Sequence, residues 1–136
     1  MSDLSRFREA HEHAYETALS EIRGGRKRSH WMWYIFPQIA GLGFSSTAQY
    51  YAISDLDEAR EFLADPYLGS HIVEISEALL STESSDPCYV MGYPDDLKLR
   101  SSMTLFMAAS EDEDVFQKVL DRFYGGEPDP RTLDLI

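Results

Sequence analysis

Apolar residues recur in this chain every three or four positions, and no segment alternates long enough to form a strand of a sheet. Residues three or four apart share one face of an α-helix, so this spacing predicts helices that each bury one face. Residues 50–53 and 89–91 are the strand candidates, and each is too short and isolated to build a sheet. We therefore expect an all-α fold. The periodic segments are residues 4–22, 55–65, 67–82, 94–110 and 112–124.

Glycine, proline and capping residues separate these segments. Gly24-Gly25 and Gly125-Gly126 are expected to end helices, because glycine accepts the left-handed conformation found after a helix C-terminus. Ser54 is expected to cap the second periodic segment. Ser29 is expected to cap a short apolar turn that Pro37 stops.

The length and composition of the chain fit one soluble domain. It has 136 residues, of which 43% are hydrophobic and 26% charged, an ordinary globular balance. Without repeats or an internal linker, residues 1–136 are expected to form a compact single-domain bundle of about six helices with non-parallel packing. The single cysteine, Cys88, excludes an internal disulfide framework and is expected to be buried. No apolar run approaches the ~20 residues of a membrane span, and the N-terminus does not resemble a signal peptide, so we expect a cytoplasmic location and no membrane partner.

Charge is abundant and unevenly distributed along the chain. The formal net charge is −12, and a field of that sign repels nucleic acid and anionic membranes. However, residues 22–54 and 97–110 contain no Asp or Glu. The first window carries the basic cluster Arg26-Lys27-Arg28, and the second carries Lys98 and Arg100. Two interpretations stay open: a solvated basic turn that reduces self-repulsion, or a positive pocket that selects a small anion over a large polyanion.

Aromatic residues are concentrated beside the basic cluster. Residues 31–51 contain both tryptophans, Trp31 and Trp33, and five other aromatic residues. One interpretation is that these rings fill part of the hydrophobic core, because aromatic side chains dominate small cores. The other is a nucleotide site, with rings for the base and cations for the phosphates. His30 is the one candidate acid–base group, although a hydrogen-bonded histidine behind a capping serine explains it equally well.

The second acid-free window forms a polar stripe on a predicted helix. Lys98 and Arg100 lie there with serine and threonine neighbours and no acid. Such stripes usually face solvent, but an inward-facing Arg100 would need a carboxylate, phosphate or carbonyl partner. We expect residues 26–38 and 97–104 to meet in space around shared acceptors.

Known cofactor and metal motifs are missing from the sequence. The glycine pairs lack a following Gly-Lys-Ser/Thr and do not follow strands, so neither a P-loop nor a dinucleotide fingerprint is present. His11 and His13 diverge by about 200° on a helix and cannot share a metal ion. We expect no cofactor and no structural metal, and whether the protein is an enzyme stays open.

Four sequence blocks resemble a known bacterial family. They are RGGRKRSHWMWYIFPQ at residues 23–38, GLG at 41–43, PDDLKLRSSMTLF at 94–106 and GGEPDPRTL at 125–133. They closely resemble domain-of-unknown-function family 1810, whose members are often labelled calpastatin automatically. The resemblance covers the whole chain and implies a compact, mainly helical single domain. It carries over no catalytic residue, and a folded, aromatic-rich chain does not look like a disordered protease inhibitor.

Two functional hypotheses follow from these patterns. The leading one is a helical domain that binds a small anionic, phosphate-bearing ligand, such as a nucleotide or an ADP-ribose-like molecule. The alternative is a protein–protein interaction module in which residues 26–38 present basic and aromatic anchors to a partner that the sequence does not identify. A pocket predicts tryptophans in a concave site, whereas a module predicts an exposed aromatic patch. The candidate ligand-binding residues are Arg26, Arg28, His30, Trp31, Trp33, Lys98 and Arg100.

Overall fold

Nine helices make up the regular structure of residues 2–136 in this computed structural model. They confirm the all-α prediction, and the only β interaction among these residues is an isolated parallel bridge between Ile39 and Ile53. The expected number of about six helices is wrong. Four of the helices have only four to six residues, too few to show an apolar stripe. The helices are α1 (Ser5–Arg23), α2 (Met32–Ile35), α3 (Ser46–Tyr50), α4 (Leu56–Ala64), α5 (Pro66–Leu80), α6 (Pro87–Met91), α7 (Asp95–Ala109), α8 (Val115–Tyr124) and α9 (Pro130–Leu135).

An Asp-Pro pair begins three of these helices. In each pair the aspartate side chain accepts hydrogen bonds from backbone N–H groups of the first turn, and the proline occupies the first helical position. The pairs are Asp65-Pro66 in α5, Asp86-Pro87 in α6 and Asp129-Pro130 in α9. Residues 89–91, a strand candidate from the sequence, therefore belong to α6.

Two predicted helix caps are wrong. Asp55, and not Ser54, accepts the hydrogen bond at the start of α4. Ser29 does not cap α2, because its hydroxyl donates to Glu21 instead. The other strand candidate, residues 50–53, contains the end of α3 and reaches β geometry only at its last residue.

A line of phenylalanine rings connects four helices through the core. Phe7 of α1 contacts Phe62 of α4 edge-on, with ring centroids 5.2 Å apart. Phe62 contacts Phe106 of α7 at 5.2 Å, and Phe106 contacts Phe116 of α8 at 5.8 Å. All four rings are fully buried, and each such pair adds roughly 0.5–1.5 kcal/mol beyond the area it buries. Within residues 2–136, no helix has the length and apolar character needed to cross a membrane.

The corner between α4 and α5 requires a glycine. Gly69 follows the corner by one helical turn, and its backbone N–H donates to the carbonyl oxygen of Asp65 at 2.7 Å. A Cβ atom built on Gly69 would lie 2.1 Å from the backbone oxygen of Leu63, closer than any real contact. The two helices can approach this closely only because residue 69 has no side chain.

Cys88 is exposed, contrary to the sequence prediction. It lies in α6, a five-residue helix that buries Val90 and Met91 and turns its other face to solvent. A surface helix of about one turn is too short to show an apolar stripe. The sequence therefore does not indicate which of its residues point inward.

Candidate functional site

The carboxylate of Glu21 organises the basic loop, which we define as residues 24–31. One carboxylate oxygen accepts hydrogen bonds from the backbone N–H groups of Arg28 (2.7 Å) and Ser29 (2.9 Å) and from the indole of Trp31 (2.9 Å). The other accepts from the Ser29 hydroxyl at 2.5 Å. Burial raises the pKa of Glu21, but these hydrogen bonds outweigh it and hold the pKa below its ordinary value. An internal anion therefore occupies the backbone donors that would otherwise bind an external one.

Lys27 connects the basic loop to α6 and α7. Its ammonium group donates to the Ser29 carbonyl oxygen at 2.5 Å and lies 2.9 Å from a carboxylate oxygen of Asp95. It also lies 4.9 Å from the ring centre of Trp31, and its backbone N–H donates to Val90 at 2.7 Å. The Lys27 side chain is only 7% exposed, so its charge is used within the fold.

The two tryptophans have different environments. Trp31 is 1% exposed and belongs to the core, so it does not line a surface cleft. Trp33 is half-buried on α2, and the ammonium of Lys98 lies 5.7 Å from its ring centre. Residues 26–38 and 97–104 therefore meet, as the sequence predicted.

Arg100 attaches the C-terminal segment to α7. Its guanidinium donates to the carbonyl oxygens of Glu127 (2.9 Å) and Pro128 (3.0 Å). The next residue, Asp129, donates its backbone N–H to the Thr104 hydroxyl at 2.8 Å. An inward-facing Arg100 was expected to need a carboxylate, a phosphate or a carbonyl as its partner. Its partners are two backbone carbonyls, so Arg100 has a structural role in holding the C-terminal segment against α7.

Two clefts lie on either side of the basic loop, and Arg28 borders both. The arginine cleft has a volume of about 570 Å³ and lies between the basic loop and the segment that joins α5 to α6. The tryptophan cleft has a volume of about 290 Å³ and lies between the basic loop and the start of α7. We define the arginine cleft by Arg23, Arg26, Arg28, Glu83 and Tyr89, and the tryptophan cleft by Arg28, His30, Trp33, Tyr93 and Asp95.

Positive charge dominates the arginine cleft. The guanidinium of Arg26 lies 5.2 Å from the ring centre of Tyr89. Arg23 lies 3.8 Å from a carboxylate oxygen of Glu74, but both side chains are about half exposed, so this ion pair is weak. The Arg28 side chain makes no hydrogen bond or ion pair with any residue from 2 to 136. Three arginines thus line a cleft whose acidic lining residue is Glu83, and Glu74 partly offsets the charge of Arg23.

The seven predicted residues divide among four environments. Arg26 and Arg28 line the arginine cleft, and His30 and Trp33 line the tryptophan cleft. Lys98 and Arg100 line a third depression of about 270 Å³ beside the C-terminal segment, and Trp31 lies in the core.

Comparison with known proteins identifies the family. A family profile described as "Protein of unknown function (DUF1810)" matches residues 1–136. The chain belongs to this family. It is also similar to the conserved hypothetical protein Rv1873 from Mycobacterium tuberculosis, known from a crystal structure. That structure has a TM-score of 0.96 and 42% sequence identity, over 98% of this chain and 96% of the other. No curated protein matches the chain.

Three arginine-cleft residues of the DUF1810 chain were not among the candidates from the sequence: Arg23, Glu83 and Tyr89. Arg23 lies in the acid-free window beside the basic cluster, and this shared window is the signal that could have included it. Tyr89 lies one turn into α6 and is 55% exposed. Nothing in the sequence brings Tyr89 to Arg26, because the contact depends on how α6 packs.

A second polar cluster joins α1 to α5, and its Glu74 also pairs with Arg23 of the arginine cleft. The Nδ1 atoms of His11 and His71 are 2.9 Å apart, and His11 Nε2 lies 2.8 Å from the Tyr34 carbonyl oxygen. A carbonyl can only accept, so Nε2 of His11 carries the proton, and its Nδ1 accepts from His71. The Tyr15 hydroxyl donates to Glu74 at 2.5 Å, and its ring stacks on His71 at 3.6 Å. Burial lowers the pKa of His11 to about 4.

Proposed function

We propose that this protein binds a small phosphate-bearing anion in the arginine cleft. The observation that carries the proposal is that three arginines and one acidic residue line the same concave surface. Guanidinium groups present several N–H donors in one plane and match the geometry of phosphate oxygens.

The charge of the whole protein favours a small anion over a polymer. The net charge is −12, so a long polyanion would have to cross acidic surface beyond the cleft. Charges on the protein surface are screened within about 8 Å at physiological salt. A small ligand inside the cleft is therefore influenced mainly by nearby charges, which are the three arginines, Glu83 and Glu74, the partner of Arg23.

The size and walls of the cleft also support a small-molecule ligand. A volume of about 570 Å³ falls within the usual range of ligand pockets. Arg28 has no partner among residues 2–136, so it can turn toward a phosphate without breaking an internal contact.

The alternative hypothesis of a protein-interaction module receives less support from the same residues. Trp31 and Phe36 are buried, and of the aromatic residues in 26–38 only Trp33 and Tyr34 are partly exposed. The segment therefore does not present the aromatic patch that this hypothesis requires.

Thermal melts with and without inorganic pyrophosphate test the proposal. At a concentration one hundred times its Kd, a ligand stabilises the folded state by about 2.7 kcal/mol. We expect a rise in the melting temperature for the wild type and a much smaller rise for Arg26→Ala and Arg28→Ala. Arg60→Ala is the matched control, because Arg60 is an exposed arginine on α4 that pairs with Asp57 and borders neither cleft. No rise for the wild type, or equal rises for all variants, would overturn the proposal.

A further inference from the structure

We infer that the anion is the phosphate end of a nucleotide whose base occupies the tryptophan cleft. This inference rests on the proposed function and names the class of ligand. It starts from the position of Arg28, which borders both clefts and has no internal partner among residues 2–136. A ligand bound to Arg28 through a phosphate can extend from one cleft into the other.

The walls of the tryptophan cleft suit a flat aromatic ring. The half-buried indole of Trp33 and the 76% exposed ring of Tyr93 both border it, together with Met32, His30 and Pro94. Trp33 follows Met32, which is buried on the same short helix. Stacking of a base on an aromatic side chain contributes about 1–3 kcal/mol, and it works for every base because every base has a flat π face.

The charges around the tryptophan cleft do not oppose an anionic ligand. Asp95 is its acidic residue, and one carboxylate oxygen lies 2.9 Å from the ammonium of Lys27. The other carboxylate oxygen lies 3.7 Å from the ammonium of Lys98. Two cations therefore offset one carboxylate, so a phosphate at Arg28 meets no net negative charge on this side.

The sizes of the two clefts favour a nucleotide over a bare phosphate compound. Pyrophosphate can fill part of the arginine cleft, but it leaves the tryptophan cleft of about 290 Å³ empty. A nucleoside diphosphate has a polar, charged end for the first cleft and a flat ring system for the second. Because the charged end suits the arginine cleft and the ring system suits the tryptophan cleft, we assign the ligand to the nucleotides.

Calorimetric titration with three probes separates the two parts of the site. The probes are pyrophosphate, adenosine and ADP. We expect ADP to bind the wild type at least tenfold more tightly than either of the other probes. Tyr93→Ala and Trp33→Leu should weaken ADP binding about 5- to 140-fold, the range equivalent to the stacking energy, and leave pyrophosphate affinity within about twofold. Arg26→Ala should weaken both ADP and pyrophosphate.

The same titrations include a control variant, and their results can contradict the nucleotide inference. Phe44→Ala removes an aromatic ring that is 79% exposed and borders neither cleft, so it should change neither affinity. Retained pyrophosphate binding shows that a variant is folded, and Tyr93 is too exposed for its loss to disturb the core. If ADP binds no more tightly than pyrophosphate, or if the Trp33 and Tyr93 variants bind ADP normally, the nucleotide inference is wrong while the proposed anion site stands. If neither pyrophosphate nor ADP binds, both are wrong.

Discussion

Protonation of His11 should make the protein sensitive to mildly acidic pH. His11 is 2% exposed, and its two ring nitrogens are both used, one as a donor to Tyr34 and one as an acceptor from His71. A second proton would put a positive charge on a ring that is shielded from water and lies beside His71. The folded state therefore favours the neutral ring, and its pKa falls to about 4.

The size of the effect follows from the difference between the folded and unfolded states. An unfolded histidine has a pKa of about 6.5, so between this value and 4 the unfolded chain binds a proton that the folded chain does not. Stability is then fully present above pH 6.5 and is lost as the pH falls toward 4. The loss is about 2 kcal/mol at pH 4.5 relative to pH 7, and about 3 kcal/mol once both states are protonated.

Guanidinium unfolding followed by circular dichroism from pH 4.5 to 7.5 measures this effect. We expect His11→Gln to remove most of the pH dependence in that range. His13→Gln, a change at an exposed position on the same helix, should leave the pH dependence in place. Carboxylates with lowered pKa values, such as Asp65 and Asp129, lose their contributions mainly below pH 4, so they do not obscure the result. A wild-type free energy of unfolding that is flat across the range, or a His11→Gln variant with the wild-type slope, would refute the reasoning.

Three further substitutions test the packing around the site. Arg100→Ala should cost about 1–2 kcal/mol and increase hydrogen exchange in residues 127–129, whose carbonyls lose a charged donor; unchanged exchange there would contradict the assignment. Glu21→Gln should cost about 1–3 kcal/mol and increase exchange in the basic loop, because one amide cannot accept from all four donors; a variant as stable as the wild type would argue against this arrangement. Gly69→Ala should cost about 1–3 kcal/mol in chemical unfolding because of the contact with the Leu63 oxygen, and a neutral result would show that the α4–α5 corner relaxes freely.

Long helices could be predicted from the sequence because each buries a stripe against the core. The stripe in residues 67–82 predicted α5, which spans Pro66–Leu80. Short helices could not be predicted in this way, because one turn contains too few residues to define a face. The Asp-Pro pairs at 86–87 and 129–130 were the available signals for α6 and α9, since the aspartate caps the first turn and the proline starts it.

The sequence predicted that residues 26–38 and 97–104 meet, but it did not show that the candidate residues line separate clefts. Arg26 and His30 are close in sequence, yet they line different clefts because the basic loop passes between them. Trp31 and Trp33 are two positions apart on a four-residue helix and its cap, too short a segment to show which ring turns inward. Such assignments depend on long-range packing.

The sequence indicated only some of the acceptors around the basic loop. The sequence suggested shared acceptors for the cations of the two acid-free windows, and Asp95 is one of them. Glu21 serves the donors of the loop itself, although it lies at the end of α1, outside the acid-free window. The same limit applies to His11, whose partner His71 is on another helix.

A crystal structure of the protein grown with pyrophosphate tests the central claim most directly. We expect the pyrophosphate in the arginine cleft, with the guanidinium groups of Arg26 and Arg28 within hydrogen-bond distance of its oxygens. The Arg28 side chain, which has no partner among residues 2–136, should donate hydrogen bonds to the pyrophosphate oxygens. Pyrophosphate bound elsewhere, or an empty arginine cleft at a ligand concentration that saturates binding in solution, would contradict the proposed function.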